Sequence, residues 1–183
     1  MNQPSDHPTR TLLLDAGLRL AQSISLSRLS VNQIVKEAGV AKGTFYVHFA
    51  DRDSYLVALH GRFHEDINTV IAAATVDILP GRENLQRGIE AYLDGCLQRR
   101  ALKALLVEAR VAPGVAEAVR QRDQLYYTTV AQNFTAMGWP SAMDAARLFV
   151  TMVAEAALME LEQGEVVTAV RQILWQFIDS KQP

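Results

Sequence analysis

Lys42, Thr44, Tyr46 and His48 fall at every second position of a short stretch in which Phe45 and Phe49 are the large apolar residues. An ammonium, a hydroxyl, a phenol and an imidazole offer hydrogen-bond donors of several geometries and one fixed positive charge. That set suits the phosphate oxygens and base edges of a nucleic acid. At 3.6 residues per turn, positions two apart spread these four side chains over roughly half of a helix circumference. That half can be pressed to DNA while Phe45 and Phe49 hold the other half to a core. Arg52, just beyond, adds a cation for a flanking phosphate, and Lys42 stands at the helix start, beside backbone N–H groups that favour phosphate.

Such a helix needs a second one to prop it. Ser30 is a good N-cap, and Val31, Ile34, Val35 and Ala38 follow at helical spacing. Gly39 then ends this helix, because glycine takes the left-handed conformation that a helix C-terminus favours. Val40 and Ala41 lead into a third helix over 42–49. Two short helices at a tight glycine-containing turn are the geometry of a helix-turn-helix, whose second helix fits a major groove. Before them, Leu13, Ala16 and Leu20 make one apolar stripe over 9–23. After them, Asp51 caps a long fourth helix whose buried face carries Leu56, Leu59, Phe63, Ile67 and Val70.

The remainder also reads as helix, over 85–98, 101–111, 115–137, 142–163 and 165–180. Pro113-Gly114, Gly138-Trp139-Pro140 and Gly164 punctuate it, and Ser141 with Asp144 makes a capping-box-like start. No stretch alternates with period two, so the chain is all-α. The expected organisation is a helix-turn-helix domain at 1–52, a connecting helix at 53–79 and a helical body at 80–183, with Pro80-Gly81 as the main internal boundary.

Residues 9–60 resemble the N-terminal domain of the TetR (tetracycline repressor-like) family of transcriptional regulators. The resemblance is carried by Ala38-Gly39-Val40-Ala41-Lys42-Gly43-Thr44-Phe45-Tyr46-Val47-His48-Phe49, followed by an acidic cap and a long helix. It implies a homodimer whose two heads dock into successive major grooves of a near-palindromic double-stranded operator. Ser30 and Asn32 then open the supporting helix near the DNA. Lys42, Thr44, Tyr46 and His48 lie on the recognition helix, with Arg52 beyond it. Lys42 and Tyr46 look like phosphate contacts, and Thr44 like a contact to phosphate or a base edge. Two positions depart from the family's habit. Asn32 stands where many members carry arginine and favours adenine over guanine. Val47 stands where the family is often aromatic or polar, and offers only apolar contact.

The last two helices are expected to form the dimer interface, as the resemblance also suggests. Ala145, Phe149, Val153 and Ala156 make a broad apolar face with small residues, and Ile173 and Phe177 continue it on the final helix. The other body helices are expected to enclose a small-molecule effector pocket. Its candidate lining is Phe63, Ile67, Tyr92, Cys96, Leu106, Tyr126, Tyr127, Phe134, Met152 and Met159. Aromatics and methionines at this spacing also describe a plain core. Glu155 interrupts an apolar run, where a charge must find a partner or water. It is either a polar contact to an effector, or paired with Arg147 or Arg110, or exposed at the dimer rim.

Composition narrows the classes further. In the 183 residues the net charge is −2, yet residues 1–52 hold six Lys or Arg against four Asp or Glu, leaving a mildly basic head on an acidic body. A single cysteine, Cys96, makes no internal disulfide, and the polar start with two prolines lacks a secretory h-region, so a soluble cytoplasmic protein is expected. No glycine-rich phosphate loop, nucleophile elbow, CxxC or paired carboxylates appear, which argues against an enzyme. His60 and His64 are four apart, but without H-E-x-x-H they read as a core-edge pair, and neither metal nor cofactor is expected. A helical protein-interaction module is the remaining alternative, against which the polar set on the third helix speaks.

Overall fold

A computed structural model describes residues 8–180; the expectation about the polar start therefore lies mostly outside the described residues. Among the described residues nine α-helices follow one another: α1 (Pro8–Leu20), α2 (Val31–Ala38), α3 (Lys42–His48), α4 (Arg52–Thr75), α5 (Arg82–Gln98), α6 (Arg100–Glu108), α7 (Pro113–Ala136), α8 (Ala142–Gln163) and α9 (Thr168–Asp179). Single 3₁₀ turns stand at Leu26–Arg28 and Ala109–Val111. Among the described residues there is no strand, as the lack of period-two patterning requires. No helix among them is long and apolar enough to cross a membrane.

The helices form two compact units, and packing divides them differently from the punctuation at Pro80-Gly81. Among the described residues, one unit holds 8–64 together with 101–119; the other holds 65–100 and 120–180. The division falls inside α4, because a single continuous helix supplies apolar faces to both.

In the N-terminal unit α1 packs on α2, and α2 on α3. Leu13, Ala16, Ile34, Phe45, Tyr55, Leu56 and Leu59 are all buried. Burial of each large side chain contributes about 1.5–3 kcal/mol against unfolding. Tyr55 sits in this core because its hydroxyl donates to the Leu13 carbonyl at 2.8 Å. Gly17 makes room for it: a Cβ there would collide with the Tyr55 hydroxyl. Burial pushes the phenol's pKa well up, so Tyr55 stays a neutral donor.

In the second unit α8 packs on α5 and α9. Phe134, Phe149, Trp139 and Phe177 form an aromatic cluster, with Phe149 and Phe177 stacked at 5.7 Å and Phe134 edge-on to Phe149 at 5.6 Å. One carboxylate is buried there, and it is Glu160 rather than Glu155. Glu160 is 1% exposed and accepts from Arg171 Nε at 2.6 Å, Arg171 Nη2 at 2.8 Å and the Val167 backbone N–H at 3.1 Å. Arg171 also meets Asp94 at 2.7 Å, so this network ties α5, α8 and α9 together. The Glu160 side chain raises the pKa of Arg171 further. Glu155 lies on the exposed side of α8.

Candidate nucleic-acid interface

Local chemistry builds the helix-turn-helix. The Ser30 hydroxyl accepts from the Gln33 backbone N–H at 3.3 Å while the Gln33 side chain accepts from the Ser30 N–H at 3.2 Å, a reciprocal capping box. Gly39 has φ 69° and ψ 30°, and its N–H returns to the Lys36 and Val35 carbonyls. A left-handed residue here turns the chain sharply enough for α3 to begin at Lys42. No side chain caps α3. At the other end, the Asp51 carboxylate accepts from the Ser54 N–H at 2.7 Å and starts α4. That bond holds the Asp51 carboxyl below its ordinary pKa of 3.8.

The face of α3 follows from its aromatic anchors. Phe45, Phe49 and Tyr55 lie within 5.1–5.5 Å of one another, centroid to centroid. With Phe45 and Phe49 inward, Lys42, Tyr46 and Val47 point outward; Tyr46 is 51% exposed and Val47 79%. Thr44 and His48 flank this face and are half-buried. Tyr46 also stands edge-on to Phe45 at 5.4 Å, which fixes its ring. Asn32 is exposed at the start of α2, and Ser30 is exposed although its hydroxyl serves the capping box.

Arg52 has a different partner from the one expected. Its Nε donates to the Leu29 carbonyl at 2.7 Å and its Nη2 to the Leu26 carbonyl at 2.6 Å. The guanidinium's rigid fork therefore braces the loop between α1 and α2 rather than reaching outward for a phosphate. Glu108 of α6 holds the same loop, accepting from the Leu26 N–H at 3.2 Å. Arg28 lies in this loop, exposed two residues before Ser30, and was marked in the sequence only by its charge.

Within the second unit, a cavity of about 380 Å³ opens among α4, α5, α7 and α8. Of the expected lining only Tyr92 and Tyr126 reach it. Phe63 and Leu106 belong to the N-terminal unit, where the Lys103 ammonium sits 5.7 Å over the Phe63 ring. Ile67 and Cys96 are buried and do not line it, and Phe134 belongs to the aromatic cluster. Tyr127 faces Arg147 at 5.9 Å. Met152 is half-buried, and Met159 and Glu155 are exposed. Asn68, Arg122, Asp123 and Asn133 line the cavity outside the expectation. The signal for two of them, Arg122 and Asn133, was the stripe Arg122, Tyr126, Thr129, Asn133, which repeats at helical spacing yet mixes polar with apolar residues. Burial pushes the Tyr126 phenol up to about 12.

The expected dimer face is also revised. Ala145, Phe149, Val153 and Ala156 are buried within their own unit, and Phe177 stacks on Phe149. Apolar periodicity marks a covered face but not what covers it. The outward large apolar residues of α8 and α9 are Leu148, 63% exposed, Ile173, 55% exposed, Met143 and Met159. His60 and His64 are both buried with ring centroids 4.6 Å apart, and no group of three metal-ligating side chains occurs among the described residues.

Residues 13–59 match the family described as bacterial regulatory proteins, tetR family. The chain is 25% identical over 103 residues to the HTH-type transcriptional repressor NemR of Escherichia coli strain K12; the match takes in 54% of this chain and 48% of NemR. The chain thus spans about half the length of this relative. It is 22% identical to the HTH-type transcriptional regulator BetI 1 of Chromohalobacter salexigens, over 94% of this chain and 89% of that one. The fold is shared with the multidrug binding protein EbrR complexed with imidazole, at TM-score 0.78 and 20% identity over 100% of this chain and 95% of that one. A TetR transcriptional regulator from Legionella pneumophila superposes with TM-score 0.73 and 16% identity, over 96% and 98% of the two chains. The helix-turn-helix head at residues 13–59 is thus similar to that of the tetR family of bacterial regulatory proteins, and the fold of the chain is shared with solved regulators of that kind.

Proposed function

We propose that this protein is a transcriptional regulator of the tetR family, a cytoplasmic repressor that binds a near-palindromic operator as a homodimer and leaves it when a small molecule occupies the cavity of the second unit. The observation that carries the reading is the exposed face of α3, where Lys42 and Tyr46 stand outward from a helix anchored by Phe45 and Phe49. Lys42 and Tyr46 hold phosphates, while Thr44 and Asn32 address base edges and Val47 packs on a thymine methyl. Ser30 and His48 border this surface. A ligand that binds the DNA-free form more tightly than the DNA-bound form lowers operator affinity by that same ratio.

Lys42→Ala and Tyr46→Ala are expected to weaken operator binding while leaving helical content and oligomeric state unchanged. With one Lys42 per head, two phosphate contacts are lost per dimer, and the slope of log affinity against log salt flattens by about 1.8 in K42A. Gel-shift titrations at several salt concentrations check this. Unchanged affinity in both variants would remove α3 from the interface.

A further inference from the structure

We infer that the effector taken by this cavity is an uncharged, mainly apolar molecule with one hydrogen-bond acceptor at one end. The inference rests on the reading of the cavity as the regulatory site. Three features of the wall point to it.

The first is charge balance. Among the described residues Arg122 and Asp123 are the only charged side chains lining the cavity, and they pair with each other through Nε at 3.1 Å and through Nη2. The Arg122 guanidinium also lies 5.8 Å over the Tyr126 ring. The wall therefore carries no net charge. A charged ligand would lose hydration without gaining a counter-ion, unless it broke this pair.

The second is that most polar groups of the wall are already committed. Thr75 donates to the Ile71 carbonyl at 2.9 Å, and Thr129 donates to the Leu125 carbonyl at 3.2 Å. Asn133 accepts from the Gly81 N–H at 2.9 Å and donates to the Thr129 carbonyl at 3.2 Å. Asn84 donates to the Ile78 carbonyl at 2.8 Å. Hydroxyls and amides tied to backbone in this way present little to a ligand except their carbon atoms.

The third is where polarity remains. The Tyr126 hydroxyl donates to Asn68 Oδ1 at 2.9 Å, which orients the Asn68 amide and leaves its two N–H groups to donate. Beside it the Tyr92 and Tyr126 rings meet edge-on at 6.2 Å. That end offers an aromatic wall and a donor; the remaining wall is the Arg122–Asp123 pair, the backbone-tied hydroxyls and amides, and aliphatic side chains. A volume of about 380 Å³ suits a compact organic molecule.

The probes are three molecules of one shape: 2-(2-naphthyl)ethanol, 2-(2-naphthyl)ethylamine and 2-naphthylacetate, which at pH 7 are neutral, cationic and anionic. Naphthalene fluorescence anisotropy reads their binding to the full chain. The alcohol is expected to bind at least tenfold tighter than either ion. Asp123→Asn, which removes the carboxylate paired with Arg122 in the wall, should raise naphthylacetate affinity about tenfold relative to the alcohol; Arg122→Met should do the same for the amine. Gly88→Leu should abolish binding of all three, because a Cβ at Gly88 meets only the Thr75 and Ile71 methyls at 3.5 and 3.7 Å and the longer side chain grows into the cavity. An ion that binds wild type as tightly as the alcohol overturns the inference, as does alcohol binding that survives Gly88→Leu, or none. The charge-swap variants decide the matter even if Gly88→Leu fails to fold. The regulatory reading fails separately, if the alcohol binds with the stated preference and operator affinity does not change.

Discussion

Arg52→Met separates two roles for one cation. The arginine donates to the Leu29 and Leu26 carbonyls at 2.7 and 2.6 Å, from a half-buried position. A hydrogen bond from a charged group contributes about 1.5–3 kcal/mol, and two from one guanidinium do not add in full. Methionine keeps much of the side chain's length and apolar stem, so the loss is that of the two bonds, about 2–3 kcal/mol after allowing for solvent at the guanidinium. For a chain of this size that lowers the melting midpoint by roughly 4–12 °C. The loop between α1 and α2 loosens, so operator affinity falls, but no phosphate contact is removed and the salt slope stays that of wild type. A parallel pair of assays reads both: thermal unfolding by circular dichroism, and gel shifts from low to high salt. If the midpoint is unchanged while the slope flattens by about 0.9 for each arginine lost, the guanidinium contacts DNA and the bracing argument is refuted.

Gly17→Ala places a methyl on the Tyr55 hydroxyl and should cost about 1–3 kcal/mol in overpacking; Tyr55→Phe in the same chain should recover part of it, and strictly additive losses in thermal unfolding would contradict the close approach. Glu160→Gln leaves Arg171 with Asp94 alone and removes a buried ionic partner, with an expected loss of about 3–5 kcal/mol in denaturant unfolding; Glu155→Gln, on the exposed side of the same helix, should lie within about 0.5 kcal/mol of wild type. For the proposed homodimer, Leu148→Glu with Ile173→Glu should convert dimer to monomer in light scattering while helical content is kept, whereas Ala145→Glu, buried in its own unit, should unfold that unit. A double variant that remains dimeric would move the interface away from the outer face of α8 and α9.

Much of the head was legible because its determinants are local. Ser30 with Gln33, Gly39, and Asp51 with Ser54 act within four residues of one another, which is the range that spacing encodes. Phe45 and Phe49 needed only helical periodicity to set the outward face of α3. The cavity was less legible, since Tyr92 and Tyr126 look like Phe134 and Tyr127 in a sequence: aromatic residues at helical spacing fill a core or line a void equally well. Asn133 and Asp123 become lining residues only because α4, α5, α7 and α8 stop short of closing over them.

Sequence alone determined the order of the helices, their ends to within about four residues, and the side chains presented by α3. Tertiary structure decided the partners. Arg52 bonds to carbonyls 23 and 26 residues away, and Glu108 to an N–H 82 residues away, so neither role could be read from neighbouring positions. The apolar face of α8 turned out to cover its own unit, and the buried carboxylate turned out to be Glu160, one helical turn or so beyond Glu155. The physical reason is common to all of these. Periodicity specifies that a face avoids water, and charge specifies that a group needs a partner, but only the packed helices bring a particular neighbour within reach.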